Sequence, residues 1–257
     1  MGGRLHLALP AHAKLNLHLR VVGVRPDGHH DLETRFQSIS LHDLLLVDSA
    51  PETSLEGGFP NDLVLKAASA LSEAAGRPLP ARFRLVKRIP VGAGLGGGSS
   101  DAAAALRALS RMHGLSVDLR PVAAAVGADV PFFLVGGAVD GSGRGERLEP
   151  VRGACGWFSL AWPGFAVSTA DVFRTWDGVG GDGDNELARA ASCTEPRLAA
   201  FAERLGRTGD GWRMTGAGSA FFRPAASHRE AAAAVEALDC WTAVARPVAA
   251  WDAGGAR

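Results

Sequence analysis

Eleven consecutive residues, Pro90-Val91-Gly92-Ala93-Gly94-Leu95-Gly96-Gly97-Gly98-Ser99-Ser100, place five glycines and two hydroxyls ahead of an alanine-rich run. Glycine lets a backbone approach a ligand closely and turn successive N–H groups inward. Where such a loop opens a helix, the first N–H groups of that helix have no internal partner, and the helix dipole adds partial positive charge. The pattern suits a phosphate, held without any cationic side chain. A flexible linker can share this composition, but it would lack a strand before it and a helix after it. A Walker A loop ends in Gly-Lys-Ser/Thr, and that tripeptide occurs nowhere in the chain. Gly92, Gly94 and Gly97 do satisfy G-x-G-x-x-G, with Asp118 near the spacing of a ribose-binding acid. A dinucleotide-binding dehydrogenase is therefore an alternative, weakened because no clear apolar strand leads to Asp118.

The elements around the loop can be read from periodicity and punctuation. Leu15, Leu17, Leu19 and Val21 alternate with Lys14, Asn16, His18 and Arg20. Period two predicts a half-buried strand and puts Lys14 and Asn16 on one side of it. Arg25-Pro26-Asp27-Gly28 signals a turn. Strands are expected at 32–41 and 44–48, then a helix over 62–75 with Asn61 as N-cap and Gly76 as its stop. A strand at 83–89 runs into the glycine loop, and Ser99 or Ser100 is expected to cap the helix that ends before Gly114. A short helix at 121–126 and an apolar segment at 130–139 follow. Polar, glycine-rich residues 141–145 and then Pro150 predict a boundary, giving units of 1–149 and 150–257. In the second unit strands are expected at 157–162, 212–215, 220–223 and 241–248. Helices are expected there at 170–175, 185–191, 197–205 and 229–238, and residues 178–183 read as a surface turn. The fold class is α+β, with strands and helices mixed in both units and no internal repeat.

The 257 residues are enough to bury a core without disulfide or metal staples. Hydrophobic residues make up 47% and charged residues 21%, which excludes global disorder. Lys and Arg number 27 and Asp and Glu 27, so no overall field attracts nucleic acid or an anionic membrane, and neither is expected as a partner. Cys155, Cys193 and Cys240 lie far apart with no CxxC pair, and read as small buried hydrophobes in a reducing cytoplasm rather than as a zinc site. Ala11-His12-Ala13 imitates a signal-cleavage site, but His6 and Pro10 interrupt the short apolar run before it. No stretch reaches the roughly 18 apolar residues of a membrane span. A cytoplasmic location is expected.

Three segments in order, Ala13-Lys14-Leu15-Asn16-Leu17, the Pro90–Ser100 loop and Met214-Thr215-Gly216-Ala217-Gly218-Ser219, resemble the three motifs of the GHMP small-molecule kinases. Three further segments are similar to the branch of that family whose acceptor is a cytidyl-bearing methylerythritol. They are Gly94-Leu95-Gly96-Gly97-Gly98-Ser99-Ser100-Asp101, Gly127-Ala128-Asp129-Val130-Pro131-Phe132-Phe133, and Gly28-His29-His30 followed by Leu32-Glu33-Thr34. The resemblance implies the two-domain GHMP kinase fold, with ATP in the N-terminal unit and the active site in the interdomain cleft. It implies phosphoryl transfer from ATP, accompanied by Mg²⁺, to the acceptor's 2-hydroxyl in the non-mevalonate isoprenoid route. It assigns Asp129 as catalytic base and Lys14 as its partner, keeping the carboxylate ionised and orienting the hydroxyl. ATP contacts fall on Lys87 and on Pro90 through Ser100. Substrate contacts fall on Asn16, His29, His30, Thr169 and Phe173, with His30 reading the cytosine edge and Phe173 stacking on the base. No metal ligand can be named, and the oligomeric state is not legible.

Each residue also has a plainer reading. A strand lysine such as Lys14 or Lys87 is usually solvated, an Asp before Val-Pro caps a turn, and a lone Phe at helical spacing belongs to a core. The chain also departs from the family pattern. His29 stands where the family commonly has Tyr, in a chain with no tyrosine; imidazole stacks with less area. His12 replaces a proline two residues before Lys14, and Asn61-Asp62 reverses the usual Asp-Asn near the adenine. A kinase of the same family acting on homoserine or a mevalonate, and a nucleotide sensor without turnover, are the rival functions.

Overall fold

The computed structural model of the chain describes residues 6–59 and 62–250. Arg4 and the expected N-cap Asn61 lie outside the described residues.

Two long antiparallel strands, β1 (His6–Val24) and β2 (His30–Ser49), form the spine. They are joined by the expected turn, in which the Arg25 N–H donates to the His29 carbonyl at 2.7 Å. β2 is continuous where two strands were expected, with a register irregularity opposite His12 and Lys14 absorbing the break. A second irregularity falls between Asn16 and His18, so Lys14, Leu15 and Asn16 form a short paired stretch bracketed at both ends. Such shifts re-aim side chains. Leu15 is fully buried on one side while Lys14 and Asn16, on the other, are 3% and 4% exposed. Burial of the polar face is a departure from the half-solvated strand expected.

The other edge of β2 is shared. After β3 (Ser54–Glu56) and α1 (Leu63–Ala74), β4 (Ala81–Val86) pairs with Leu44–Ser49. α1 is capped by Asp62, whose carboxylate accepts the Val64 N–H at 2.8 Å. Its buried residues Val64, Ala67, Ala68 and Leu71 follow helical spacing. α2 (Gly97–His113) begins earlier than expected, with Gly96 at its N-cap in the left-handed region and no side-chain cap. Ser99 and Ser100 lie inside its first turn instead of capping it. Small alanines bury most of the circumference of α2, making it the centre of the first core. α3 (Leu119–Val126) is capped by the Asp118 carboxylate. The apolar 130–139 segment divides into α4 (Val130–Val135) and the start of β5 (Ala138–Gly143), which pairs with Leu32–Gln37. Residues 141–145 belong to the hairpin from β5 to β6 (Arg147–Pro150), still within the first sheet.

The second sheet has the order β10-β7-β9-β8, from β7 (Trp157–Trp162), β8 (Arg213–Met214), β9 (Phe221–Ala225) and β10 (Trp241–Ala245), all antiparallel. Its helices are α5 (Thr169–Val179), α6 (Ala188–Thr194), α7 (Pro196–Gly206) and α8 (His228–Ala233). α5 runs past the expected residue 175 into the 178–183 turn. α8 stops before the expected residue 238. The cysteines are not the buried hydrophobes expected: Cys155, in the connection before β7, and Cys193, on the outer side of α6, are exposed, and Cys240 is half-buried. The spine strands join both halves: the Leu19 N–H donates to the Asp184 carbonyl at 2.9 Å, and the Ser40 N–H to the Arg246 carbonyl at 2.8 Å. Leu15 and Ile39 from β1 and β2 share a core with Phe158, Leu160 and Phe222 of the second sheet. Those contacts fix how the two halves face one another.

Candidate active site

A cavity of about 440 Å³ opens where β1, the glycine loop, α4 and the 214–219 turn converge. Lys14 is its electrostatic centre. The ammonium donates to the Asn16 amide oxygen at 2.5 Å and to the Gly94 carbonyl at 2.8 Å, and lies 4.0 Å from the Asp129 carboxylate. An ammonium has three donors, so two fix its position and the third is left for Asp129 or a ligand. Burial holds Lys14 below the usual lysine range, with Asp129 pulling the other way. Asp129 precedes α4, but its side chain makes no capping bond, so its carboxylate is free for the cavity. The plainer readings of Lys14 as solvated and of Asp129 as a cap do not hold. Asn16 passes its Nδ2 donor to the Thr34 hydroxyl at 2.8 Å, and Thr34 donates to the His18 carbonyl.

The loop is shaped by close backbone approaches. The Lys14 N–H donates to the Leu95 carbonyl at 3.0 Å and the Ala220 N–H to the Ala93 carbonyl at 2.9 Å. Gly94 has φ +78°, and a Cβ there would come within 2.6 Å of the Thr215 carbonyl oxygen and 2.7 Å of the Gly218 one. Gly96, at φ +72°, leaves no room beside Phe133 and Lys14. The uncapped start of α2 then presents N–H groups without intrahelical partners toward the same space. Pro90 through Ser99 line the cavity; Ser100 is buried in α2 and does not. Asp118 does not line it either, which removes the dinucleotide reading.

Lys87 lines the cavity but is not solvated: its ammonium lies 2.5 Å from Asp43 and 2.8 Å from Asp101. Burial opposes that ammonium, yet Asp101 and Asp43 outweigh it and hold Lys87 above the usual lysine value. Burial also pushes Asp101 up to about 7, although Lys87 draws it down while Asp43 adds to the rise. Asp43 further accepts the Arg88 and Ile89 N–H groups, whereas the buried Asp101 Oδ1 has no partner among the described residues.

A second cavity, of about 460 Å³, adjoins the first and shares Leu32, Arg144 and Phe173 with it. It is lined by His29 and His30. Thr169 lines the first cavity. His30 stacks on Phe173 with ring centres 4.7 Å apart, so one face of Phe173 is covered. His29 is largely exposed, with Nδ1 3.3 Å from Asp27. His12 follows the strand, its Nδ1 3.0 Å from the Ile39 carbonyl, and Lys14 keeps its place despite the missing proline.

Several residues at or behind these cavities are not evident from the sequence. Arg144 sits on a hairpin turn whose polar, glycine-rich sequence read as a domain boundary. The Asp43–Lys87–Asp101 cluster joins three separate elements. Thr215 and Asn185 hold the third motif, through the Asn16 N–H donating to the Thr215 hydroxyl and the Asn185 amide donating to the Met214 and Gly216 carbonyls. The position of Thr215 inside the third motif was the one available signal.

Comparison with known proteins follows the same division. Residues 62–137 match the GHMP kinases N terminal domain, and residues 177–242 the GHMP kinases C terminal domain. The chain is 38% identical to the 4-diphosphocytidyl-2-C-methyl-D-erythritol kinase of Solibacter usitatus, over 84% of this chain and 80% of that one. It is 40% identical to the enzyme of the same name from Thermus thermophilus, over 90% and 92%. A solved 4-(cytidine 5'-diphospho)-2C-methyl-D-erythritol kinase superposes with a TM-score of 0.81 at 37% identity, covering 93% of this chain and 99% of that chain. The chain belongs to the GHMP kinases, in the 4-diphosphocytidyl-2-C-methyl-D-erythritol kinase family.

Proposed function

We propose that this chain transfers the γ-phosphoryl group of ATP to the 2-hydroxyl of 4-diphosphocytidyl-2-C-methyl-D-erythritol, a step toward isoprenoid precursors by the non-mevalonate route. The observation that carries this reading is the buried Lys14 beside Asp129, between the glycine loop on one side and the His30–Phe173 cavity on the other. Both ends of a two-ended substrate pair are thereby accommodated.

In this reading the N–H groups of the loop and of the α2 start hold the polyphosphate of ATP, and Lys87 lies toward its base. Mg²⁺ enters with ATP as part of that substrate. Among the described residues no group of three or more His, Cys, Asp or Glu is placed to hold a metal ion. Asp129 accepts the proton of the 2-hydroxyl as the new O–P bond forms and the bond from Pγ to the departing ADP oxygen breaks. Lys14, 4.0 Å from Asp129, helps to orient the hydroxyl and faces the charge that develops on the transferring group. The cavity lined by His29, His30 and Phe173 receives the cytosine, while Arg144, common to both cavities, faces the diphosphate between the two ends. Among the described residues Arg144 has no acidic side chain within ion-pair distance, unlike Lys14 and Lys87.

A small-molecule partner fits these cavities, and among the described residues no helix is long and apolar enough to cross a membrane. The test is ADP release from ATP by the purified protein, with the cytidyl alcohol, homoserine and mevalonate as alternative acceptors. Release that depends on the cytidyl alcohol alone is expected; release with homoserine or mevalonate, or none at all, overturns the reading.

A further inference from the structure

His30 is held almost entirely by one helix of the opposite half. Phe173, Trp176 and Asp177 stand on α5 at i, i+3 and i+4, which puts them on a common face. Phe173 stacks on the imidazole, Trp176 meets it edge-on with ring centres 5.7 Å apart, and Asp177 Oδ1 lies 2.7 Å from Nε2. The imidazole is only 8% exposed while the carboxylate is 49% exposed. An ionised carboxylate only accepts hydrogen bonds, so at 2.7 Å Nε2 must carry the proton. In a neutral ring the lone pair then lies on Nδ1, which has no other partner among the described residues.

We infer that Asp177 is a specificity-determining positioning residue: by fixing the proton of His30 on Nε2, it presents an acceptor to the base and thereby selects cytosine over uracil. The argument rests on the proposed cytidyl substrate. Cytosine carries an amino group on the edge where uracil carries a carbonyl. An acceptor on His30 receives a hydrogen bond from the amino group and meets only lone pairs on the carbonyl. A donor would reverse that preference. Without Asp177 both tautomers are open to the ring, and the discrimination weakens. Stacking on Phe173 fixes the plane of the ring but not its proton, so the carboxylate has a task the aromatic cannot share.

Two variants and two readouts test this. Asp177→Ala removes the acceptor; Asp177→Asn retains an oxygen that Nε2–H can meet. Nitrogen-15 spectra of the histidine-labelled full chain at about pH 8, where an ordinary imidazole is neutral, are expected to show His30 protonated on Nε2 in the wild type and in Asp177→Asn, and a tautomer mixture in Asp177→Ala. In steady state, Asp177→Ala is expected to raise KM for the cytidyl acceptor about tenfold with a much smaller change in kcat and in KM for ATP. Its preference for the cytidyl over the uridyl acceptor is expected to fall by a similar factor, and Asp177→Asn to restore most of both. An unchanged base preference in Asp177→Ala, a wild-type ring protonated on Nδ1, or an equal rise in KM for ATP overturns the inference. Absence of cytidyl-dependent turnover in the wild type instead sinks the substrate reading. In that case the inference is judged by cytidine against uridine binding, measured calorimetrically on the same variants, and equal preferences in wild type and Asp177→Ala overturn it.

Discussion

The two ends of the cleft are built differently. At the phosphoryl end, Lys14 is 3% exposed, tied to Asn16 and Gly94, and surrounded by backbone that admits no added carbon at Gly94 or Gly96. At the base end, His29 and Asp177 are half exposed, and His30 takes its orientation from side chains on a helix after it in sequence. Chemistry that requires in-line positioning has a rigid, desolvated site, where charge interacts strongly. Recognition of a base uses side chains at a rim, where each contributes modestly and substitution is tolerated.

The largest effect is expected at the phosphoryl end. Lys14→Ala should lower kcat by roughly 10²–10⁴-fold, the range of a lost acid–base or charge-stabilising partner, with the circular dichroism spectrum of the wild type. A loss below about tenfold would make the two ends alike. Gly94→Ala should raise KM for ATP and lower Tm together, because a left-handed φ and two carbonyl contacts both oppose the methyl group; strain of this kind costs about 1–3 kcal/mol. Its KM for the cytidyl acceptor should move less.

Asp101 adds a pH test. Its folded-state value, about 7, lies above the ordinary carboxyl value of about 3.9, so the folded chain keeps a proton that the unfolded chain releases. Stability from this group is therefore lost as pH rises from about 4 to about 7 and stays lost above. In Asp101→Asn that loss is absent. Tm of the variant relative to wild type should rise between about pH 5 and about pH 8, as scanning calorimetry would show; a constant difference would contradict the raised value of Asp101. The smallest effect is expected at the rim. His29→Tyr should lower KM for the cytidyl acceptor about two- to tenfold, from a stacking gain of about 0.5–1.5 kcal/mol, and leave kcat near its original value.

The legibility of the sequence follows the same contrast. The phosphoryl end depends on local backbone, and local backbone leaves composition: a glycine run, an alanine helix and period-two strands. Those features placed Lys14 with Asn16 and the loop before α2. They failed where tertiary demands overrode local preference. Ser99 and Ser100 resemble caps, yet Gly96 takes the cap position and the helix start remains open. The polar face of β1 looked solvated because the opposing motif lies some two hundred residues away, as in the Asn16–Thr215 bond. The base end was less visible still. Asp177 falls where the predicted helix had already ended, and its partner His30 lies 147 positions earlier. Only the fold brings that pair together.

Asp129 is proposed to act in the chemical step at the acceptor hydroxyl. This role is tested most directly by rapid-quench single turnover of wild type and Asp129→Asn, with ATP and the cytidyl alcohol both saturating. Formation of the phosphorylated alcohol is expected to slow by roughly 10²–10⁴-fold in the variant, while ATP still binds with near wild-type affinity. Equal single-turnover rates in the two proteins would contradict it.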